Sequence, residues 1–367
     1  MYEKELAALE SSHRLRRRVL WDERLVDFAS NDYLGLSSKS NLLELAHKRV
    51  KKLSHHSPKA SLLVNGYSPL HAEFEEILCY FNGFESGLLL GSGFLANLAL
   101  IESLVRPKDI LFMDSDYHAS GKLAAKLLGD RVIFFDHNDP NHLLELIEKH
   151  RPQGRMIIAI EGIYSMSGAV AKKEFAQIAD FYGALLIVDE AHSSGTLGDH
   201  LLGYFDYHAL PRAPHYVKMG TLSKAYASYG AYILASKEII SFLENRAKSV
   251  IYTTALSLLD TALALENLLY IQEHKERLSQ KLQERQDIAS SMLGVTLSSP
   301  ILAYPIPSTP RLLEVAKKLE AAGYLVGAIR KPTVETPILR VILRCSNKKS
   351  QVTHLCEKIL EYSERES

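Results

Sequence analysis

Short apolar runs that alternate with amphipathic segments constrain the fold of this chain more than any other feature of its sequence. Six such runs, rich in Ile, Val, Leu and Phe, occupy residues 110–114, 132–136, 156–160, 185–189, 216–220 and 231–236. Runs of this length and composition are typical of strands that are buried on both faces, as in a parallel sheet. The amphipathic segments between them, such as Asn141–His150 and Lys173–Tyr182, predict helices. The alternation therefore predicts an α/β domain with a mainly parallel sheet.

The chain from about residue 255 onward has a different pattern. A helical pattern without Gly or Pro covers about 255–290, and short apolar runs then alternate with two further helical patterns. A length of 367 residues suggests about two domains, at roughly 150 residues per domain. We predict an N-terminal arm at residues 1–40, a large α/β domain at 41–260 and a smaller α+β domain at 261–367.

The composition argues against two classes of partner. The 43 basic and 43 acidic residues cancel, whereas a nucleic-acid-binding protein normally carries a basic excess, so we expect no nucleic-acid partner. The most apolar stretch, residues 87–101, is interrupted by Ser92 and Asn97. It is also shorter than the roughly 20 apolar residues that span a bilayer, so we expect no membrane partner. The N-terminus lacks the apolar core of an export signal.

The cysteines and histidines favour a cytoplasmic protein without a bound metal. Three cysteines, an odd number with no CxxC pair, argue against a disulfide framework and against a zinc cluster. A reducing cytoplasm is the location that fits this cysteine usage. The pair His55–His56 has no further ligand cluster at metal-binding spacing, so we predict no metal site.

Lys224 is the first candidate for a chemical role. It follows a predicted strand end within GTLSKAYASYG (220–230), where Ala225 and Ala227 leave room for a ligand. A partly buried lysine loses its proton more readily than an exposed one, and its amine can then attack an aldehyde cofactor. A turn that carries a solvated lysine is the structural alternative.

Asp189 and His192 belong to a second motif, IVDEAHSSGTLG (187–198). Asp189 ends a strongly apolar strand, and loops at the carboxyl ends of parallel strands build ligand sites. A carboxylate there can pair with a protonated pyridine nitrogen and keep the ring an electron sink, with His192 in reach of the same cleft. In one alternative, Asp189 caps a following helix. In another, DEAH is the magnesium-binding box of a nucleoside triphosphatase, although the GxxxxGK[ST] loop that it requires is missing from the sequence.

Two weaker signals lie upstream of these motifs. A glycine-rich turn at residues 91–93 opens a helical pattern, and the N–H groups of a helix N-terminus bind phosphate well. His118 follows the predicted strand at 110–114, a position where a histidine is more often a structural hydrogen-bonding residue than a ligand contact.

These segments, in this order, resemble the α-oxoamine synthases, a branch of the fold type I pyridoxal-phosphate enzymes. The resemblance runs from about Leu15 to near the C-terminus. Its main motifs are FASNDYLGLS (28–37), GSGFLAN (91–97), EGIYSMSG (161–168), VDEAHSSGTLG (188–198) and GTLSKAYASYGAYI (220–233). It implies an aminotransferase-like α/β fold and pyridoxal 5′-phosphate as the cofactor.

The resemblance implies which residues form the catalytic centre. Lys224 would hold the cofactor as a Schiff base, and Asp189 would pair with its pyridine nitrogen. His192 would lie near the ring hydroxyl, and His118 would stack on the ring face.

Other residues would hold the phosphate of the cofactor or complete its pocket. The backbone N–H groups of Gly93 and Phe94 and the hydroxyl of Thr221 would bind the phosphate, and Ser165 would lie in the pocket. Thr254 would reach the phosphate of the neighbouring subunit, because the active sites of this family form at a homodimer interface.

The resemblance also implies the substrates, an amino acid and an acyl thioester. Asn31 and Arg340 would bind the carboxylate of the amino acid, the arginine as a bidentate fork. Arg16 and Thr333 match acyl-substrate contacts of the family member that joins alanine to a pimeloyl thioester in biotin biosynthesis. The segment HHSPKAS (55–61) departs from the family pattern in a substrate-facing part.

The implied reaction is a decarboxylative condensation of the two substrates, with Lys224 as the general base once it is released. Sister enzymes of the family, such as 2-amino-3-ketobutyrate ligase, 5-aminolevulinate synthase and serine palmitoyltransferase, share the cofactor residues and are alternatives. A cofactor-binding transcription regulator is a further alternative. Such a regulator should carry a helix-turn-helix extension and a basic surface, and the sequence shows neither.

Overall fold

A computed structural model describes residues 1–364 of the chain, which form two compact units. The larger unit contains Asp32–Ser165 and Ala169–Gln280. The smaller unit contains Met1–Asn31, Met166–Gly168 and the chain from Lys281 onward. The first 31 residues thus group with the C-terminal part of the chain, whereas the sequence pattern placed limits at residues 40 and 260. The larger unit ends inside a long helix, where no Gly or Pro marks a boundary.

The helices and strands have the following bounds. The α-helices are α1 Glu3–Ser11, α2 Ser40–Lys51, α3 Pro69–Asn82, α4 Gly93–Leu104, α5 Ala119–Ala125, α6 Pro140–His150, α7 Glu174–Tyr182, α8 Tyr204–Tyr207, α9 Lys237–Arg246, α10 Lys248–Ile251, α11 Leu258–Leu293, α12 Thr309–Ala321 and α13 Lys349–Glu364. The strands are β1 Val26–Asp27, β2 Ser86–Leu90, β3 Ile110–Asp114, β4 Val132–Phe135, β5 Met156–Glu161, β6 Leu185–Asp189, β7 Tyr216–Thr221, β8 Ala231–Ala235, β9 Ile301–Pro305, β10 Tyr324–Leu325, β11 Gly327–Ile329 and β12 Ile338–Ile342. Leu62–Gly66 forms a π-helical turn, and Lys126–Arg131 forms a 3-10 turn.

A seven-stranded sheet with the order β2-β8-β7-β6-β5-β3-β4 forms the centre of the larger unit. All of its strands are parallel except β8, which is antiparallel to both of its neighbours. The prediction of an α/β fold with a mainly parallel sheet is confirmed, and each of the six predicted runs is a strand. Strand β2 was missed, because a short run of leucines is as typical of a helix as of a strand.

The near-continuous apolar sequences of these strands follow from burial on both faces. Ile157, Ile187, Val217 and Ile233, on four adjacent strands, are fully buried in one cluster that also contains apolar residues of α4 and α9. Each strand therefore carries apolar side chains at successive positions rather than at alternate ones.

The smaller unit is built around an antiparallel three-stranded sheet of order β11-β12-β9 and the parallel pair β1-β10. Leu312, Leu339 and Leu355, from α12, β12 and α13, lie in one buried cluster. Phe28, which follows β1, is buried in the same cluster, so the N-terminal segment is part of this core.

No helix within residues 1–364 has both the length and the apolar content that crossing a membrane requires. The same residues contain no group of three or more His, Cys, Asp or Glu side chains arranged to hold a metal ion.

Candidate active site

A cavity of about 200 Å³ lies within the larger unit, at the carboxyl edge of its sheet. Because parallel strands direct their carboxyl ends to the same edge, side chains that are distant in the sequence meet there. The cavity is lined by Gly93, Phe94, Asn97, His118, Ser120, Glu161, Asp189, Ala191, His192, Met219, Thr221, Ser223 and Lys224. The structure thus brings Lys224, Asp189, His192, His118, Thr221 and the Gly93–Phe94 turn together in one cavity.

Asp189 is the last residue of β6 and is 4% exposed. Its Oδ2 accepts a hydrogen bond from Asn97 Nδ2 at 2.8 Å, and its Oδ1 accepts one from the Ala191 N–H at 3.0 Å. In the described structure, residues 190–203 form turns and bends rather than a helix, so Asp189 caps no helix. A carboxylate held by N–H donors at the cavity wall is suited to bind a protonated ring nitrogen.

Lys224 and His192 form a second polar group in the cavity. Lys224 Nζ lies 2.8 Å from His192 Nε2, and His192 Nδ1 lies 2.6 Å from the hydroxyl oxygen of Tyr33. Lys224 is half-buried in the turn after β7, so it is not a solvated surface lysine. Because His192 contacts Lys224 on one ring nitrogen and Tyr33 on the other, its ring is held between these two side chains beside the lysine amine.

The loop that carries His192 packs directly against the Lys224 turn. Gly195 has a φ of +87°, and a Cβ atom at this position would lie 2.3 Å from the Cβ of Ala225. Only glycine permits both this backbone conformation and this close approach. The close packing fixes the distance between the two turns and therefore places His192 beside Lys224.

Glu190 holds the same loop in place through hydrogen bonds of its buried carboxyl group. Its Oε2 accepts hydrogen bonds from Ser193 Oγ at 2.7 Å and from the Tyr204 N–H at 2.6 Å, and its Oε1 lies 3.7 Å from the Nζ of Lys218. Burial lowers the pKa of Lys218 to about 8, while Glu190 opposes this shift. Glu190 is fully buried and does not line the cavity. Within the DEAH segment, Glu190 is therefore a structural residue, whereas the magnesium-binding box of a nucleoside triphosphatase would need this carboxylate at the ligand site.

His118 is joined to Asp189 through two intermediate side chains. His118 Nδ1 lies 2.7 Å from Ser120 Oγ, and Asn97 Nδ2 donates to Ser120 Oγ at 2.9 Å as well as to Asp189. The hydroxyl of Tyr117 donates to Asn97 Oδ1 at 2.7 Å. Burial lowers the pKa of His118, so its ring is neutral at neutral pH and can lie against another ring without a charge to solvate.

The N-terminus of α4 closes one end of the cavity. Ser92 caps this 12-residue helix by accepting a hydrogen bond from the Leu95 N–H, which leaves Gly93 and Phe94 as its first residues. A Cβ atom at Gly93 would lie 3.8 Å from Thr221 Cβ, so the helix start adjoins the end of β7. The first N–H groups of a helix favour an anion, and the Thr221 hydroxyl adds a further polar group beside them.

Two predicted cofactor residues do not line this cavity. Ser165 is buried, and its N–H donates to Glu161 Oε2 at 3.0 Å. Thr254 is exposed, and its backbone forms an isolated bridge with Ser61. Their contacts with a cofactor stay predictions.

The four predicted substrate residues belong to the smaller unit. Both terminal nitrogens of Arg340, which is 6% exposed on β12, donate to Asn31 Oδ1 at 3.1 Å. Arg16 and Thr333 line a cleft of about 100 Å³ together with basic side chains, which are Arg14, Arg330 and Lys331. The cleft has the charge expected for an anionic ligand, and the assignment of these residues to substrates stays a prediction.

From the sequence alone, four residues of this region had no assigned role, Glu161, Asn97, Ser120 and Tyr33. Three of them, Glu161, Asn97 and Tyr33, lie inside the motifs quoted above. Glu161 ends β5 in the same way as Asp189 ends β6, and the two residues are direct partners in the strand pairing. A search for acidic residues at the ends of apolar runs would have found Glu161.

Comparisons with known protein sequences gave the following matches. The family model for aminotransferase class I and II matches residues 23–359. A curated 8-amino-7-oxononanoate synthase from Helicobacter pylori is 49% identical over 368 residues, which covers 100% of this chain and 99% of that protein.

Solved structures show the same fold. The crystal structure of 8-amino-7-oxononanoate synthase from Francisella tularensis has a TM-score of 0.76 at 26% identity and covers 93% of this chain and 98% of that chain. Serine palmitoyltransferase from Sphingomonas wittichii has a TM-score of 0.89 at 21% identity, and the match covers 98% of this chain and 96% of that chain.

Proposed function

The chain belongs to the aminotransferase class I and II family, and from this membership we propose that it is a pyridoxal-phosphate-dependent 8-amino-7-oxononanoate synthase, an acyltransferase of biotin biosynthesis. The observation that carries the proposal is the cavity in which Lys224, Asp189 and His118 lie together at the end of a parallel sheet. The full-length identity of 49% with the synthase from Helicobacter pylori supports the assignment within the family. The resemblance to the α-oxoamine synthases is confirmed.

The residues of the cavity fit pyridoxal phosphate part by part. Lys224 offers an amine for the aldehyde, and Asp189 offers a carboxylate for the pyridine nitrogen. The neutral ring of His118 suits the face of the pyridine ring, and the start of α4 suits the phosphate. When bound, the cofactor supplies an electron sink for the negative charge that develops at the α carbon of an amino acid.

Proton transfer in this site falls to Lys224. Once the cofactor is bound to the amino acid instead, the free Nζ of Lys224 would act as the general base that removes the α proton. His192 Nε2 lies 2.8 Å from Lys224 Nζ, and the hydroxyl of Tyr33 forms a hydrogen bond with the other ring nitrogen of His192. The α proton taken up by Lys224 would therefore stay among these three side chains. Asp189, fixed by Asn97 and the Ala191 N–H, keeps the ring nitrogen protonated during the reaction.

The substrates in this proposal are L-alanine and a pimeloyl thioester of coenzyme A or a carrier protein. Arg340 and Asn31 bind the carboxylate of alanine, and the guanidinium fork that now faces Asn31 Oδ1 has the geometry for it. Arg16 and Thr333, in a cleft with further basic side chains, bind the acyl substrate.

The proposal includes a homodimer in which Thr254 completes the phosphate site of the neighbouring subunit. Thr254 is exposed, as a residue that contacts a neighbouring subunit must be in the single chain. A mixed dimer of Lys224→Ala and Thr254→Ala subunits tests it, because one of its two sites then contains both native residues. Recovery of wild-type cofactor affinity in half of the sites is expected. Affinities that remain those of the two parent variants would contradict sharing.

The proposed location is a reducing cytoplasm. None of the cysteines Cys79, Cys345 and Cys356 forms a disulfide in the described chain, which agrees with that location.

A condensation assay tests the proposed reaction. Glycine, alanine and serine are each combined with pimeloyl, acetyl, succinyl and palmitoyl thioesters, and the products are identified by mass spectrometry. The highest kcat/KM is expected for alanine with the pimeloyl thioester, with Lys224→Ala as the inactive control. Equal or better turnover of glycine with a short monocarboxylic thioester would exclude the biotin-pathway assignment.

A further inference from the structure

Glu161 is a second carboxyl group in the cavity, and neither the sequence analysis nor the reaction above gives it a role. We propose that Glu161 is a binding residue of the cofactor site, which stays protonated beside Asp189 and donates a hydrogen bond from Oε1 to an anionic oxygen of the molecule bound in the cavity. The proposal rests on the proposed function for the identity of that molecule.

The strand pairing fixes the position of this carboxyl group. Glu161 and Asp189 are the last residues of two adjacent parallel strands and are direct partners in the pairing. Side chains of paired residues in a parallel sheet point to the same face, so both carboxyl groups lie at the same edge. Both line the cavity, and Glu161 is 2% exposed.

The two oxygens of Glu161 have different surroundings. Oε2 accepts a hydrogen bond from the Ser165 N–H at 3.0 Å, so this oxygen is committed to the protein backbone. Oε1 is buried and has no hydrogen-bond partner among residues 1–364. A buried polar oxygen without a partner is costly, and a ligand in the cavity can supply the missing partner.

The neighbouring charges determine which form of Glu161 is present. Burial raises the pKa of Glu161 well above its ordinary value, and the nearby carboxyl groups of Asp189 and Asp114 raise it further. The hydrogen bond from the Ser165 N–H and the charge of Lys224 lower this pKa, but their effects are smaller than those of burial and Asp189. Two nearby tyrosine hydroxyls, those of Tyr117 and Tyr164, are neutral because burial and the adjacent carboxylates raise their pKa values.

The two carboxyl groups differ in their hydrogen bonds. Both oxygens of Asp189 accept from N–H donors, which are Asn97 Nδ2 and the Ala191 N–H. Glu161 has one N–H donor and one unpaired oxygen, so the proton resides on it. Two carboxyl groups at one site thus acquire different forms, one an acceptor for the ring nitrogen and the other a donor.

The alternative is an ionised Glu161 that pairs with Lys224. The contacts do not favour it, because Glu161 Oε1 has no hydrogen-bond partner among residues 1–364 and Lys224 Nζ lies 2.8 Å from His192 Nε2.

Carbon-13 NMR of the cofactor-free protein, with labelled glutamate carboxyl groups, tests the protonation directly. A resonance of a neutral carboxylic acid should persist at neutral pH and disappear in Glu161→Gln. Burial also raises the pKa of Glu75, to about 7, so Glu75→Gln is needed to assign the second such resonance. If the resonance lost in Glu161→Gln is that of an ionised carboxylate, the proposal is wrong.

Cofactor affinity, measured by fluorescence quenching, tests the donor. Glu161→Leu should weaken binding by about tenfold to a hundredfold, the range for one hydrogen bond to an ionised group. Glu161→Gln, which keeps an N–H donor, should lose several times less. Glu75→Gln is the matched control, because Glu75 is a buried glutamate outside the cavity, and it should leave the affinity unchanged.

A larger loss in Glu161→Gln than in Glu161→Leu would show that Glu161 acts as an ionised acceptor and would overturn the proposal. If the wild-type protein does not bind pyridoxal phosphate, the proposed function fails, whereas the NMR result still decides the protonation of Glu161.

Discussion

Replacement of Asn97 by leucine, a side chain of similar volume, should break the chain of hydrogen bonds that joins His118 to Asp189 and should destabilise the fold. Asn97 is 1% exposed and makes three hydrogen bonds, to Asp189 Oδ2, Ser120 Oγ and the Tyr117 hydroxyl. The bond to the Asp189 carboxylate accounts for roughly 1.5–3 kcal/mol, and the stranded Tyr117 hydroxyl costs roughly 1–3 kcal/mol more. These effects are not additive, and we expect a decrease of about 3 kcal/mol in the free energy of unfolding.

Urea denaturation of the cofactor-free protein measures this loss. Tyr117→Phe is the control, because it removes one bond to Asn97 and leaves the bond to Asp189 intact. It should cost about 1 kcal/mol. A double-mutant cycle of Asn97→Leu with Asp189→Asn isolates the direct interaction, and we expect a coupling energy of at least about 1 kcal/mol. A coupling near zero would show that the 2.8 Å contact between Asn97 and Asp189 has no energetic effect.

Three other substitutions give distinct outcomes. Asp189→Asn should retain cofactor binding but decrease the rate of α-proton exchange by several orders of magnitude, because a neutral amide cannot keep the ring nitrogen protonated; exchange near the wild-type rate would show a purely structural role. Arg16→Ala should raise the KM for the acyl substrate by about tenfold to a hundredfold while the KM for alanine changes little, and an unchanged acyl KM would mean that the basic cleft is only a solvated face. Burial raises the pKa of Glu75 to about 7 from an ordinary 4.5. The neutral form of Glu75 therefore contributes its full share to the free energy of unfolding below about pH 4.5, and this share, up to about 3 kcal/mol, is lost as the pH rises through 7. Glu75→Gln should remove this part of the pH dependence in urea denaturation, and an unaltered slope would contradict the assignment.

The strands and several residues that line the cavity were predictable from the sequence because both depend on local pattern. Burial on both faces makes strands such as β5 and β6 apolar throughout, and a polar residue at the end of such a strand, such as Asp189, is conspicuous. The topology rule that ligands bind at the carboxyl ends of parallel strands then places these residues together.

The supporting contacts were not predictable in the same way. Asn97 lies in an apolar helix, and its partner Asp189 is 92 residues away, so only the hydrogen bond between them in the folded chain reveals its role. Glu161 shares the local signal of Asp189, but its unpaired oxygen depends on the positions of Ser165 and the cavity. The limit between the two units falls within the continuous helix α11, which carries no sequence signal.

The proposed function requires that Lys224 carries the cofactor. Borohydride reduction of the purified protein with bound pyridoxal phosphate, followed by peptide mass spectrometry, measures this directly. One modified lysine, Lys224, is expected, and the modification should be lost in Lys224→Ala while that variant keeps the wild-type fold by circular dichroism. A modification that persists in Lys224→Ala at another lysine would show that Lys224 does not carry the cofactor.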